Sequence, residues 1–143
     1  MSAEAKVQAL AAHLDCGPSE IESGYNDGDF SFGSEEWRVL TDEEADAACA
    51  EYIRESAWAF NISFVARYTK YGLSEAAQNA LAEAMKALCE KANDLVLALV
   101  KDEDLFISDA ILEDGRGHFL AHYDHEEVDI EYENQKFFAY RVN

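Results

Sequence analysis

The uneven distribution of acidic residues is the strongest constraint on how this chain folds. Residues 15–55 carry thirteen acidic and two basic side chains, and residues 102–133 carry twelve acidic side chains and one basic side chain. Residues 56–101 have four acidic and five basic side chains, so the middle of the chain is almost neutral. Because like charges repel one another in a compact state, both acidic blocks must place most of their carboxylates in water.

The composition predicts a folded protein in spite of the formal charge of −19. Acid-rich disordered tails contain few apolar and aromatic residues, whereas this chain is 49% hydrophobic and 12% aromatic. Its 143 residues predict one domain over residues 1–143. The negative charge disfavours direct binding of nucleic acid or anionic lipid, and the apolar runs are too short to span a bilayer. The cysteines are isolated and odd in number, which favours reduced thiols and a cytoplasmic location.

Local patterns predict the elements of the N-terminal half. Apolar residues at helical spacing predict a helix over Ala3–Leu14. Period-two alternation on both sides of Gly33-Ser34 predicts a β-hairpin within residues 24–40. Thr41 and Glu44 have the spacing of a capping box, which predicts that a helix begins after Thr41. The crowded acids of this chain also predict raised carboxyl pKa values.

The second half combines helices with a C-terminal hairpin. Ser74 is expected to cap one long helix with a buried stripe at Ala77, Leu81, Met85, Leu88, Ala92, Leu95 and Leu99. A short helix is expected over Asp104–Leu112, and strands over Glu127–Tyr132 and Phe137–Val142. The predicted fold class is α+β: a helical centre with a small antiparallel sheet built from the N-terminal and C-terminal hairpins.

Two segments resemble a known group of proteins. VLTDEEADAACAEYIRESAWAFNISFV (residues 39–65) and ILEDGRGHFLAHYDHEEVDI…FFAYRVN (residue 111 to the C-terminus) resemble uncharacterised small acidic proteins of bacteriophages, prophages and plasmids. The resemblance covers about half of the chain and transfers no catalytic residue. It implies a bacterial mobile element, a setting in which small acidic proteins often block host restriction or CRISPR machinery.

Acidic side chains are the main candidates for partner binding. A DNA duplex presents one negative charge per ~1.7 Å of its axis, and closely spaced carboxylates can imitate that pattern. The alternative is that the same charge only keeps the protein soluble. The candidate contact residues are Asp27, Asp29, Glu35, Glu36, Asp42, Glu43, Asp46, Asp102, Glu103, Asp104, Glu126 and Glu127.

Three other sequence features have less specific interpretations. His118 and His122 would share a helix face and, with Asp124 or Glu126, resemble part of a zinc site, but the ligand set is incomplete, so no metal is expected. His125 lies among acids that favour its protonation. Arg116 is expected to bridge carboxylates in a structural role rather than a catalytic one. The segment Asn26-Asp27-Gly28-Asp29 favours an Asx-type turn over a cation site.

The apolar and cysteine residues of the middle segment are interpreted as core. Trp58, Phe60 and Phe64 are expected to pack inside, with an exposed partner patch as the alternative. Cys49 and Cys89 are likewise expected on buried helix faces.

The sequence leads to one main hypothesis and two alternatives. The main hypothesis is a non-enzymatic inhibitor or decoy, with no catalytic residue and no cofactor, that binds a basic nuclease, restriction or CRISPR component. One alternative is an accessory module that binds a protein through an apolar patch. The other is a small hydrolase that uses a metal or carboxylates.

Overall fold

The computed structural model describes residues 2–143 and confirms the α+β class. Five strands form one sheet, and seven α-helices are present in the described residues. The helices are α1 (Ser2–Leu14), α2 (Asp42–Glu55), α3 (Ile62–Ala66), α4 (Glu75–Leu88), α5 (Asn93–Leu99), α6 (Glu103–Asp114) and α7 (Arg116–Leu120). The strands are β1 (Glu22–Ser23), β2 (Asp29–Phe32), β3 (Glu35–Leu40), β4 (Val128–Tyr132) and β5 (Gln135–Arg141).

The chain divides into two compact units. Unit 1 consists of Met1–Cys49 and Asp114–Asn143, and unit 2 consists of Ala50–Glu113. The single domain over residues 1–143 stays a prediction. Among the helices of the described residues, none combines the length and the apolar character needed to cross a membrane.

The sheet of unit 1 joins the two predicted hairpins. Its strand order is β1-β2-β3-β5-β4, with every neighbouring pair antiparallel. The pairing of β3 with β5, which sets Val39 opposite Ala139, connects the N-terminal hairpin to the C-terminal one. Non-local pairing of this kind follows from both strands having an apolar side that must be buried.

Tight turns close both hairpins. Gly33 has a φ of +60° at the first position of the two-residue turn between β2 and β3. Glu133 and Asn134 both have positive φ angles, +48° and +68°, as a type I′ turn requires. The predicted C-terminal loop was therefore too long, because Gln135 and Lys136 already belong to β5.

Helix α1 covers one face of the sheet, here called the α1 face. Alternate residues of the strands point to this face, among them Phe30, Val39, Phe137 and Ala139, all buried. They pack with Ala5, Ala9 and Leu10 of α1 into one apolar core. Helix α1 begins and ends close to where the sequence predicted, since its apolar stripe is complete at Leu14.

Unit 2 contains an aromatic core. The ring centroid of Phe64 lies 5.4 Å from that of Phe106 and 5.0 Å from that of Tyr68. The Tyr68 hydroxyl donates a hydrogen bond of 2.7 Å to the Asp109 carboxylate. This hydrogen bond, with burial, raises the pKa of Tyr68.

The long helix predicted after Ser74 is wrong in its second half. Ser74 caps α4 as expected, since its hydroxyl accepts the Ala77 N–H at 3.2 Å. The helix ends at Leu88, however, because the next residue, Cys89, has a φ of +51°. A separate helix, α5, begins at Asn93, whose side chain accepts the Trp58 N–H at 2.9 Å. The break leaves Leu88, expected in the buried stripe, 46% exposed.

The prediction that Cys89 lies on a buried helix face is also wrong, because the residue is exposed at this break. Leu95, expected in the buried stripe, is exposed as well. A prediction from apolar spacing assumes one continuous helix, so it cannot detect a position where the chain leaves the helix and changes direction.

Candidate functional site

The tertiary structure concentrates the negative charge in unit 1. This unit has nineteen acidic and five basic side chains, a formal charge of −14. Unit 2 has eleven acidic and six basic side chains, a formal charge of −5. The N-terminal and C-terminal parts of the chain supply the acids of unit 1 together, so unit 1 is the candidate surface for a cationic partner.

Arg116 lies at the centre of an ionic network in unit 1. Its Nη1 lies 2.8 Å from Asp42 Oδ1 and 3.1 Å from Asp46 Oδ1, and its Nε lies 2.7 Å from Glu127 Oε1. The guanidinium carbon sits 4.5 Å from the centroid of the Phe138 ring. The side chain is only 11% exposed. Burial alone would lower the pKa of Arg116, but the hydrogen bonds to Glu127 and Asp42 raise it above its usual value.

This network confirms that Arg116 bridges carboxylates, as the sequence predicted, although two of its partners come from α2, about seventy residues away in sequence. Gly117, the residue after Arg116, lets α7 pack closely against the backbone of His125. A Cβ on Gly117 would lie 2.5 Å from the His125 carbonyl oxygen, so the close approach requires glycine.

Tyr140 and Cys49 are buried near this network. The Tyr140 hydroxyl donates a short hydrogen bond to Glu127. Burial and this hydrogen bond raise the pKa of Tyr140. Burial also raises the pKa of the Cys49 thiol to about 12. Cys49 is therefore a core residue, as the sequence predicted, and is a poor nucleophile at neutral pH.

Lys6 forms a second buried ionic contact. Its ammonium group is fully buried, 2.8 Å from Glu44 Oε1 and 3.5 Å from Asp27 Oδ2. Glu44 also completes the predicted capping box: it accepts the Thr41 N–H at 2.9 Å, while its own N–H donates to Thr41 Oγ1 at 3.2 Å.

The pKa of Glu44 departs from the expectation for crowded acids. Partial burial would raise it, but the hydrogen bonds from Lys6 and Thr41 lower it below its usual value. The expectation of a raised pKa is therefore wrong for Glu44, because a basic group remote in the sequence reaches it.

Most of the twelve predicted contact residues are ion-paired within the described chain. Arg116 pairs with Asp42, Asp46 and Glu127, and Lys6 pairs with Asp27. The other paired acids are Asp29 with Arg38, Glu35 with Arg141, and Glu103 and Asp104 with Arg54.

Four of the twelve acids form no ion pair with a described residue: Glu36, Glu43, Asp102 and Glu126. Asp102 instead accepts the Leu105 N–H at 3.1 Å near the start of α6. Glu36, Glu43 and Glu126 belong to unit 1. The sequence offered no signal that separates these acids from the others, since the pairing basic residues are remote.

The histidines are arranged differently from the predicted pattern. Helix α7 ends at Leu120, so His122 does not share a helix face with His118. The ring of His118 stacks instead on that of His125, with centroids 5.5 Å apart. Within residues 2–143, no three His, Cys, Asp or Glu side chains are placed to hold a metal ion.

The segment before β2 forms a backbone turn instead of the expected Asx-type turn. The Asp29 N–H donates to the Asn26 carbonyl at 3.1 Å, and Asn26 Nδ2 donates to Asp29 Oδ2 at 3.1 Å. Gly28 has a φ of +92°, and a Cβ there would lie 2.8 Å from the Val39 carbonyl oxygen.

A surface recess of about 480 Å³ lies over the N-terminal hairpin, and we call it the sheet recess. The loop that contains Gly24 and Tyr25 forms its wall. Strands β2 and β3 supply Asp29, Ser31, Glu36 and Arg38, and Val142, just after the end of β5, also lines the recess.

Unit 2 has a smaller, more apolar recess of about 330 Å³, lined mainly by Trp58, Phe60, Ile62 and Met85. Phe64 is buried as predicted, whereas Trp58 and Phe60 are only half-buried. On α6, Leu105 and Leu112 are 48% and 82% exposed. These groups are the structural basis for the apolar-patch alternative.

Comparison with known proteins gives no family: no family model, curated protein or solved structure matches the chain.

Proposed function

We propose that this protein is a non-enzymatic, cytoplasmic decoy of a bacterial mobile element that binds the nucleic-acid-binding surface of a basic host protein. The partner class is a nuclease, a restriction component or a CRISPR component. One observation carries the proposal: unit 1 has a formal charge of −14, and two of its five basic side chains, Lys6 and Arg116, are withdrawn from the surface.

The withdrawal of these basic groups matters for the field outside the protein. A surface with one dominant sign of charge speeds the encounter with an oppositely charged partner, and salt weakens the effect. The internal pairs of Lys6 and Arg116 hold part of the acidic surface in a fixed position, as an imitation of a phosphate array requires.

The test is capture of a host protein followed by competition with DNA. The full chain is immobilised, nuclease-treated bacterial lysate is passed over it, and bound proteins are eluted with a salt gradient. We expect a basic nucleic-acid-binding protein that elutes as salt increases and that is displaced by duplex DNA. Retention at high salt, or binding unaffected by DNA, would contradict the proposal.

The acidic surface is tested with charge-matched variants. The triple variant Glu36→Gln, Glu43→Gln, Glu126→Gln changes acids of unit 1 that form no ion pair with a described residue. The control, Glu75→Gln, Glu83→Gln, Glu90→Gln, makes the same change in charge on unit 2. The first variant should lower the association rate with the captured protein at least about threefold, and the control less. Equal effects would mean that only the total charge matters.

A second candidate function is an apolar interaction module. Leu112 is 82% exposed and shares a helix face with Leu105 on α6. The variant Leu112→Ser should abolish partner binding under this alternative and leave it unchanged under the decoy proposal. Binding that survives high salt would favour the apolar module.

A further inference from the structure

The lining of the sheet recess includes Asp29, Ser31, Glu36 and Arg38, which share one face of the sheet. Residues directly opposite in neighbouring strands share a face. Ser31 lies opposite both Glu22 and Glu36, so these three side chains form a row across β1, β2 and β3. Farther along the same face, on β5, Tyr140 is buried and Phe138 lies under Arg116.

Glu36 lines the recess, whereas Glu22 lies beside the lining, opposite Ser31 on the edge strand β1. Glu22 and Glu36 form no ion pair with any residue of the described chain. Arg38 is the basic residue of the recess lining, and its Nε lies 3.6 Å from Asp29 Oδ1. The charge of Arg38 is thus matched by Asp29, so the carboxylate of Glu36 remains uncompensated in the lining and that of Glu22 next to it.

The lining of the recess also includes an aromatic residue. Tyr25 lines the recess, and its side chain is fully exposed. The loop that carries it is fixed to β2, because the Gly24 N–H donates to the Asp29 carbonyl at 2.6 Å. A Cβ on Gly24 would lie 2.9 Å from the Asp29 Cβ, so this close contact requires glycine. The backbone next to Tyr25 is therefore fixed against β2 at the recess.

We propose that the sheet recess binds the guanidinium group of an arginine side chain on the partner. The inference rests on the proposed function, because it names the group that a basic nucleic-acid-binding surface would insert. A guanidinium group is planar, stacks on an aromatic ring and donates paired hydrogen bonds to a carboxylate. Tyr25 would supply the ring, and Glu36 would supply the carboxylate, with Glu22 adding to the attraction.

The test uses a defined probe and the full chain. N-acetyl-arginine amide is titrated into ¹⁵N-labelled protein at low salt, with N-acetyl-citrulline amide as the neutral probe of nearly the same shape. We expect saturable shifts of the Tyr25, Ser31 and Glu36 amide signals with the arginine probe and no saturable shifts with citrulline. Shifts scattered over unit 1 without saturation, or equal shifts with both probes, would overturn the proposal.

Two variants and one control locate the binding groups. Glu36→Gln and Tyr25→Leu should each weaken binding of the arginine probe at least about threefold, the scale of one exposed charge or cation–π contact. Glu83→Gln on α4 removes one acid outside unit 1 and should leave the affinity unchanged. Unchanged binding in Glu36→Gln, or equal affinity for N-acetyl-lysine amide, would overturn the assignment to a guanidinium group.

The outcomes separate this inference from the proposed function. If DNA-competitive capture of a basic protein succeeds but the arginine probe does not bind, the decoy proposal stands and the recess proposal fails. If the probe binds in the recess but the captured protein is not displaced by DNA, the decoy proposal fails alone.

Discussion

Arg116 and Asp42 are seventy-four positions apart in the sequence and are joined by a hydrogen bond of 2.8 Å between Nη1 and Oδ1. The same nitrogen also donates to the Asp42 carbonyl oxygen at 3.1 Å. This contact ties the start of α2 to α7 within unit 1. Neutralising Asp42 or Asp46 would therefore test stability as well as partner binding, because both carboxylates compensate the mostly buried charge of Arg116.

Replacing Arg116 should destabilise the protein more than breaking a surface pair. We expect Arg116→Met, which keeps the apolar stem, to lower the free energy of unfolding by about 2 kcal/mol, since several charge-assisted hydrogen bonds are lost together. Urea denaturation measures the change. Arg116→Lys should recover only part of it, because an ammonium group lacks the planar fork.

The control is Arg54, a half-exposed residue paired with Glu103 at 3.0 Å. Arg54→Gln should cost at most about 1 kcal/mol, as expected for a surface ion pair. Equal losses in the two positions would mean that the Arg116 network contributes no more than an ordinary surface contact.

Removing the Thr41 hydroxyl should weaken the start of α2. Thr41→Val keeps the side-chain shape but cannot accept the Glu44 N–H, and we expect a loss of about 1 kcal/mol in thermal or urea unfolding. Thr41→Ser keeps the hydroxyl and should remain near the wild-type value. A Val variant as stable as wild type would show that the capping box contributes nothing.

The stabilising effect of the Glu44 carboxylate should be lost in acid. Its folded pKa lies below its ordinary value of about 4.3, so its stabilising effect is complete above that pH and is lost as pH falls through the folded pKa. The difference in unfolding free energy between wild type and Glu44→Gln should therefore be constant above about pH 5 and shrink below about pH 4.

Lys6 provides the double-mutant control for this prediction. In a Lys6→Met background, the buried ammonium partner is gone, and Glu44→Gln should have a smaller effect at neutral pH. An unchanged effect would show that Lys6 does not stabilise the Glu44 carboxylate.

The three thiols should differ in reactivity. Cys89 is exposed and should react first with iodoacetamide at pH 8, whereas Cys49, with a pKa of about 12, is thiolate in only about one part in ten thousand. Burial and the nearby Glu20 and Asp15 raise the pKa of Cys16, so its alkylation should be slow. Peptide mass spectrometry measures each rate.

Two further measurements check this order. In urea all three cysteines should react alike, and Cys89→Ser should remove the fast phase. Rapid alkylation of Cys49 in the folded protein would contradict its burial in unit 1.

The sequence by itself determined the fold class and several local elements. Alternation around Gly33 and before the C-terminus encoded the hairpins, and Thr41 and Glu44 encoded the start of α2. These features depend on residues within a few positions of one another, where side-chain spacing reports the backbone directly. Arg116 could also be assigned a structural role, because it is isolated among acids.

Only the tertiary structure decided which acids are free of internal ion pairs and therefore available to a partner. The partners of Arg116 and Lys6 on α2 lie seventy-four and thirty-eight residues away, and no local pattern encodes such distances. The break at Cys89 and the stacking of His118 on His125 arise in the same way, from contacts that exist only after the chain has folded. The charge was visible in the sequence, whereas its division between internal pairs and the open surface depends on packing, because an ion pair forms only where the fold brings opposite charges within a few ångströms.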